Sequence, residues 1–506
     1  MRRKGCRFLA GLLCLGLLSG CGGNAGDGND GTAGSGSNGG GEAQNAQTDG
    51  GVTADLSNIY SGELERDVTI RVLENDTAIE QGYFQELIKA FNEAYAEYGI
   101  VAVDANMDQY SNLADDGPYG YGPDVLYQAN DVLMKYVDGK HIYPIPVQNL
   151  ECYAQIPDRA WEAYHRQIDG VDYYMAVPVN VQTSMLYYRK DLLPENWETE
   201  WDDNGNGIPD MVESWSAMYR FSKLRMEEKE GQYGYMRSMY DVYFSSSFLF
   251  SYGGYVFGNN NTDPSDVGFS AGDSWMGASV LLQQASLMNE GCIDDTITVN
   301  AYSKLADGSY FATMTTPDVY TLFLKELILA YQGQGMDEDA ARALAEENLV
   351  MTQVPMLPAS ADLTEENPEL IPLRTMGGVN GYAISAYTKA PNACLAFVEF
   401  ATGYDMVMKR CEMLGIAPAR SDVATQRGGT SELIYQRLEE GNVVLMPSIT
   451  EVDQIWTPAQ SFFSDLVKDA FREPGEQKYD SPEKLKAGLT QVDTQIHDAI
   501  FTLSGQ

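Results

Sequence analysis

The sequence predicts an α/β protein of two lobes, and three observations carry that reading. Strand-like and helix-like periods alternate from Val68 onward, residues 58–506 exceed what one core usually supports, and the composition changes abruptly before them. The alternation opens with a β-rich run Val68–Leu73, an amphipathic helical pattern Tyr83–Tyr98, a strand Ile100–Val103, and a strand Asp124–Tyr127 leading into a helix Asp131–Val137. This βαβ order implies a largely parallel sheet with ligands at the carboxyl ends of its strands. A second rhythm starts with a strand Met185–Tyr188, followed by helices from Glu213, over Ser274–Asn289 and over Asp337–Glu347. The remainder reads as mostly helical, over Pro391–Gly403, Ser431–Glu440, Pro458–Arg472 and Ser481–Ser504. Pro and Gly around Gly170–Pro178 and Val354–Pro358 mark expected passages between lobes, and no internal repeat interrupts the pattern.

The first residues form an export and lipidation signal. Arg2, Arg3, Lys4 and Arg7 precede an apolar stretch Phe8–Leu18, and Leu18-Ser19-Gly20-Cys21 is a bacterial lipobox. About 11 apolar residues cannot cross a hydrocarbon core that needs roughly 20, so the expected outcome is cleavage of 1–20 and lipidation of the Cys21 thiol. Gly22 to about Asn58 is Gly, Asn, Asp, Ser, Ala and Thr with almost nothing apolar, a flexible stalk over 21–57. The folded part is thereby expected outside the cytoplasm, held to the outer face of the cell membrane by the lipid alone.

The formal net charge is −40, and residues 1–20 carry four basic and no acidic residues, so the remainder stands at −44. That balance argues against nucleic acid and anionic lipid as partners. The 32 Tyr and 6 Trp supply flat amphipathic faces of the kind that stack on sugar rings, although most such residues serve as core. After Cys21 only Cys152, Cys292, Cys394 and Cys411 remain, with no C-x-x-C, and His141, His165 and His497 lie far apart, which leaves no zinc spacing. Two disulfides or four buried thiols fit the sequence equally.

The strongest local motif runs from Asp202 to Glu213 and fills the twelve-residue calcium-loop template. Asp202, Asn204, Asn206 and Asp210 offer side-chain oxygens, Gly207 takes the sharp turn, Ile208 offers its carbonyl, and Glu213 is the bidentate ligand. Pro209 stands where paired loops carry an aliphatic residue and no second loop exists, so the expectation is one structural Ca2+ site. An Asn/Gly-rich hairpin without metal is the alternative. Gly268-Phe269-Ser270-Ala271-Gly272 matches the nucleophile-elbow spacing, but a turn-rich run precedes it instead of a strand, and the match is read as accidental. No carboxylate spacing singles out a glycosidase pair.

Several stretches, taken in order, resemble the extracellular solute-binding proteins of carbohydrate ABC importers, the group typified by maltose-binding protein. They are Gly122-Pro123-Asp124-Val125 through Asn130-Asp131, Pro178 through Gln182 to Tyr188-Arg189-Lys190-Asp191-Leu192, Gly253-Gly254, Gly377-Gly378 through Ile384, Gly415 through Arg420, and Met446-Pro447-Ser448-Ile449 before Trp456. The resemblance runs from about Val68 to the C-terminus. It implies a two-lobe periplasmic-binding-protein-like (type II) fold with hinge crossovers and the calcium loop as an insertion. Its N-terminal lobe would comprise 58–180 and 352–402, its C-terminal lobe 181–351 and 403–506. It also implies a binder and not an enzyme, a monomer that passes its ligand to permease subunits. Gln128, Asn130, Asp131, Asn180 and Gln182 would meet sugar hydroxyls, Trp456 would stack on the ring, and Gly377 and Gly378 would let the backbone approach. Gln128 replaces a Trp of maltose-binding protein, Gln182 a carboxylate and Ser246 an aromatic platform, so maltose itself is not expected. Tyr243, Phe244 and Tyr320 are candidate replacement faces. A secreted carbohydrate-active enzyme or a calcium-dependent glycan adhesin remain the alternatives.

Overall fold

The computed structural model describes residues 52–288 and 296–503, so Cys21, Cys292, the signal and nearly all of the stalk lie outside the described residues. Twelve strands position the site. In chain order they are β1 Thr69–Leu73, β2 Val101–Asp104, β3 Val125–Ala129, β4 Ile142–Tyr143, β5 Val177–Thr183, β6 Met185–Arg189, β7 Tyr233–Met236, β8 Tyr310–Thr315, β9 Leu349–Thr352, β10 Thr375–Ser385, β11 Ala417–Pro418 and β12 Val443–Leu445.

The first sheet runs β11-β5-β10-β3-β1-β2, with β4 and β12 also pairing to β10. The second runs β7-β8-β6-β9. The βαβ start is parallel as expected, since β1 pairs parallel with β2 and with β3. The sheets as a whole are mixed, which corrects the expectation of a largely parallel sheet. β10 runs antiparallel to both β3 and β5, and β6 antiparallel to both β8 and β9. Both reversals come from strands next to a passage between the sheets, where the chain enters a sheet without the helical crossover that parallel pairing needs.

Three passages join the sheets. β5 and β6 are separated only by Ser184, residues 353–374 lead from β9 to β10, and Met446–Ile449 leaves β12 for the C-terminal helices. The first passage is thus later in the chain than the Gly170–Pro178 punctuation, because Gly170, with φ 78°, turns a hairpin between His165–Ile168 and Val171–Tyr174.

Two large apolar clusters follow. One packs the first sheet together with the helix Tyr83–Ala94 and with Val407, Cys411, Leu414, Ile434 and Leu438. The helices Pro391–Ala401, Tyr404–Leu414 and Gly429–Glu439 therefore share a core with the first sheet, whereas the sequence reading groups 403–506 with the second lobe. Only after Met446 does the chain join the other cluster, around Trp215, Phe248, Phe311, Phe463 and the helix Pro482–Leu503. Cys152, Cys394 and Cys411 are buried free thiols.

Candidate functional site

The carboxyl end of β3 passes directly into the short helix Asn130–Leu133, and this junction holds three of the expected residues. Gln128 is 9% exposed, donates from Nε2 to the Gln109 carbonyl at 2.8 Å, and leaves Oε1 buried without a partner. Asp131 lies one residue into the helix, and its Oδ1 is likewise buried and unpartnered. Burial raises the Asp131 pKa from its ordinary value, against the pull of Lys135. Lys135 Nζ pairs at 2.7 Å with Asp453, three residues before Trp456. The helix Lys135–Asp138, which follows that of Asp131, is thereby tied to the approach to Trp456.

Asn130 is fully buried. It donates to the Met446 carbonyl at 3.1 Å and to Ser448 Oγ at 2.9 Å, and accepts from the Val379 N–H at 3.1 Å. Its hydrogen-bonding groups are spent on bracing the third passage, not offered to a ligand. Asn180, 3% exposed, accepts from the Tyr127 hydroxyl inside the first sheet. Both were expected to meet sugar hydroxyls, and both side chains are bonded within the fold, Asn130 at the first turn of its helix and Asn180 within β5. Gly377 and Gly378 sit in β10 opposite Thr183 and Gln182. A Cβ on Gly377 would stand 2.3 Å from Val443 Cγ1 and 2.9 Å from the Gln182 carbonyl oxygen, so this glycine admits neighbouring strands.

Gln182 is partly exposed, and its Nε2 donates to Asp318 Oδ1 at 3.4 Å. Tyr243, on the helix Val242–Ser251, donates its hydroxyl to the Gln182 carbonyl at 3.4 Å. Burial, then Asp318, Asp241 and Asp131, push the Tyr243 phenol far above its ordinary value, so it stays protonated. Trp456 opens the helix Trp456–Lys468 and is half-buried against the second cluster. Phe244 is not a free face, since the Arg237 guanidinium lies 3.4 Å above its ring. Asp318, which the sequence reading did not single out, follows a Pro just past β8.

The loop Asp202–Glu213 is closed by hydrogen bonds among its own polar groups. Asn204 and Asn206 donate to the two Glu213 carboxylate oxygens at 3.0 and 2.8 Å, and the Gly207 N–H donates to Asp202 at 2.9 Å. Gly205 and Gly207 take φ of 70° and 78° to make the wrap. Asp210 turns to the Asp203 N–H, and burial followed by the Asp203 and Glu213 charges raises its pKa. Among the described residues no group of three or more His, Cys, Asp or Glu is close enough to hold a metal, so any cation here depends on the asparagines and carbonyls as well. In the elbow-like string, the Phe269 and Ser270 N–H groups both donate to Asp493. The motif is a carboxylate-bound turn, which removes its likeness to a nucleophile elbow.

A family model for bacterial extracellular solute-binding proteins matches residues 86–434, more than half of the chain. The chain belongs to that family. A maltodextrin-binding protein of Bacillus subtilis is 25% identical over 399 residues, covering 77% of this solute-binding protein and 84% of the relative. A galactooligosaccharide-binding protein of the same organism is 23% identical over 366 residues, covering 70% and 74%. Among solved structures, a maltose-binding protein of Listeria monocytogenes superimposes with a TM-score of 0.63 at 18% identity, covering 86% of this chain and 98% of that one. The two-lobe type II fold follows. Among the described residues no helix is long and apolar enough to cross a membrane.

Proposed function

We propose that this solute-binding protein captures a sugar or oligosaccharide between its lobes and delivers it to the permease subunits of an ABC importer. The observation that carries the reading is the pair of buried, unpartnered acceptors at one strand end, Gln128 Oε1 and Asp131 Oδ1. Buried polar atoms left without partners cost about 1–3 kcal/mol each, and a ligand's hydroxyl groups would supply the missing donors. Sugar binding by the two Bacillus relatives supports the same reading. Trp456 offers the apolar face and Gln182 further polar contact. Contacts made from both lobes at once would favour a closed form, which is the form a permease would recognise. Cys21 would carry the lipid that holds the protein to the outer face of the membrane, and the protein acts as a monomer without catalysis.

Asp202, Asn204, Asn206, the Ile208 carbonyl, Asp210 and Glu213 would hold one structural Ca2+, bracing the loop between Trp201 and the helix Trp215–Glu228.

Thermal unfolding of the full chain against neutral mono- and oligosaccharides tests the proposal. A rise in Tm with one saccharide class, lost in Asp131→Ala or Trp456→Ala, is the expected result. A flat response to every saccharide overturns it.

A further inference from the structure

The three passages between the sheets are bonded to one another as well as to the lobes. In the second passage the Met356 N–H donates to the Glu213 carbonyl at 2.7 Å, and Gln283 bonds the Ala361 carbonyl and the Leu363 N–H, all within the second lobe. At residues 373–376 the two lobes hold successive residues alternately. Arg437, on the helix Gly429–Glu439 of the first core, donates from Nη2 to the Leu373 carbonyl at 2.9 Å and to Thr375 Oγ1 at 3.1 Å. Ser251 and Ser247, on the helix Val242–Ser251 of the second core, accept from the Arg374 N–H at 2.8 Å and the Met376 N–H at 3.2 Å. The third passage shows the same alternation, with Asn261 donating to the Leu445 carbonyl at 2.9 Å and Asn130 to the Met446 carbonyl at 3.1 Å.

The bonds of Arg437 run on into the other passages. Thr375 Oγ1 lies 2.7 Å from Thr183 Oγ1 at the end of β5, and Thr183 donates to the Met376 carbonyl at 3.3 Å. A hydroxyl has one proton, so Thr375, which accepts from Arg437, donates to Thr183. The Thr375 N–H donates to the Asn442 carbonyl at 3.0 Å, just before β12, and the Met446 N–H donates to the Gly377 carbonyl at 2.8 Å. One buried chain thus reaches the roots of all three passages. The guanidinium at its head has no counter-charge: Arg437 is 6% exposed, its acceptors are neutral, and no carboxylate among the described residues pairs with it. The buried Arg410 and Arg420 are each paired with one. A cation buried against neutral oxygens alone is costly, and an apolar side chain would fill the same place without that cost.

We propose that Arg437 is a positioning residue for lobe rotation, its guanidinium locking residues 183–185, 373–377 and 442–446 into one unit that must open before the lobes turn. The inference goes beyond the carbohydrate reading and holds for any solute. Opening is cooperative because the chain is directional: losing the bond from Arg437 to Thr375 weakens the bond from Thr375 to Thr183. Ser184 Oγ, between β5 and β6, and Arg437 Nε are buried without partners, so each can take a new partner in a second arrangement of the same strand roots.

The test is hydrogen exchange by mass spectrometry on the full chain, in wild type, Arg437→Met and Thr375→Val. In wild type, peptides covering 181–186, 373–377 and 443–448 are expected to share one protection factor to within about tenfold, as a unit that opens together does. Arg437→Met should speed exchange in all three by at least about tenfold, the scale of a hydrogen bond to a charged group. Thr375→Val should speed 181–186 and 373–377 and leave 443–448 as it was. Releasing the lock should also shift the lobe population, read as a radius of gyration by small-angle scattering that differs from wild type. Acceleration confined to 429–439, or spread through both cores in step with a falling Tm, overturns the inference, because Arg437 then only supports its helix. Protection factors in wild type spread wider than tenfold, or an unchanged radius in Arg437→Met, overturn it as well. Should Arg437→Met fail to fold, Thr375→Val decides, and no acceleration at 181–186 overturns the proposal.

Discussion

Asn130 and Asp131 are adjacent and were expected to do the same work, yet the Asn130 amide is bonded within the fold while Asp131 Oδ1 is buried without a partner. Asn130 spends its amide on Val379, Met446 and Ser448, so Asn130→Ala would strand several buried groups. Its expected cost is about 2–4 kcal/mol in urea unfolding with the m-value unchanged, and a loss below about 0.5 kcal/mol would contradict the bracing role. Asp131 carries a buried charge, and its folded pKa lies above the unfolded one. Stability from such a group is full below the unfolded pKa and declines as pH rises through the folded pKa. Near neutral pH, Asp131→Asn is therefore expected to raise Tm while weakening the ligand-induced Tm shift. A variant that loses both stability and binding would mark Asp131 as structural. Gly377→Ala meets Val443 Cγ1 and the Gln182 carbonyl, with an expected cost of about 1–3 kcal/mol. Partial recovery in the Gly377→Ala, Val443→Ala double variant distinguishes that clash from a loss of ligand contact. None of these divisions of labour was legible in residue type, because an asparagine that braces and one that binds are the same letter.

At the scale of elements, periodicity located the opening βαβ, the strand at Met185 and most of the C-terminal helices, but it passed over the strands Val177–Thr183, Tyr233–Met236, Tyr310–Thr315 and Leu349–Thr352 and the helices Val242–Ser251, Tyr320–Gly333 and Tyr404–Leu414. The helix expected from Glu213 is two, Asp210–Glu213 and Trp215–Glu228, because Ser214 leaves helical geometry to cap the second by accepting from the Ser216 N–H. The helix expected over Asp131–Val137 likewise splits at Met134. Junctions also carry charge. Arg420, at the start of the helix Ser421–Arg427, bonds Glu151, Asp422 and the Thr402 carbonyl, fastening that helix to the segment after β4. The Arg420 hydrogen bond lowers the Glu151 pKa below its ordinary 4.5. A carboxylate with a lowered folded pKa stabilises above its unfolded pKa and loses that contribution as pH falls through the folded value. The Tm advantage of wild type over Glu151→Gln, measured near pH 6, is expected to vanish below the lowered Glu151 pKa. An advantage that grows on acidification would contradict the linkage.

For the whole molecule, ligand held from both lobes should shift the population toward a closed form, so saturating saccharide is expected to reduce the radius of gyration measured by small-angle X-ray scattering. Chelation is expected to lower Tm in wild type and to leave Glu213→Gln unchanged, and equal responses would remove Ca2+ from the loop. The sequence by itself determined the alternating elements, the two-lobe type II architecture and the family, because periodicity and ordered motifs are local along the chain. It also showed the calcium-loop pattern, which packs every donor into twelve residues. Only the tertiary structure decided that the sheets are mixed, that residues 404–445 share a core with the first sheet, that Asn130 and Asn180 face inward, and that Asp318 stands beside Gln182 across 136 positions of chain. Those facts depend on which distant segments the three passages bring together, and separation along the chain carries no record of that distance in space.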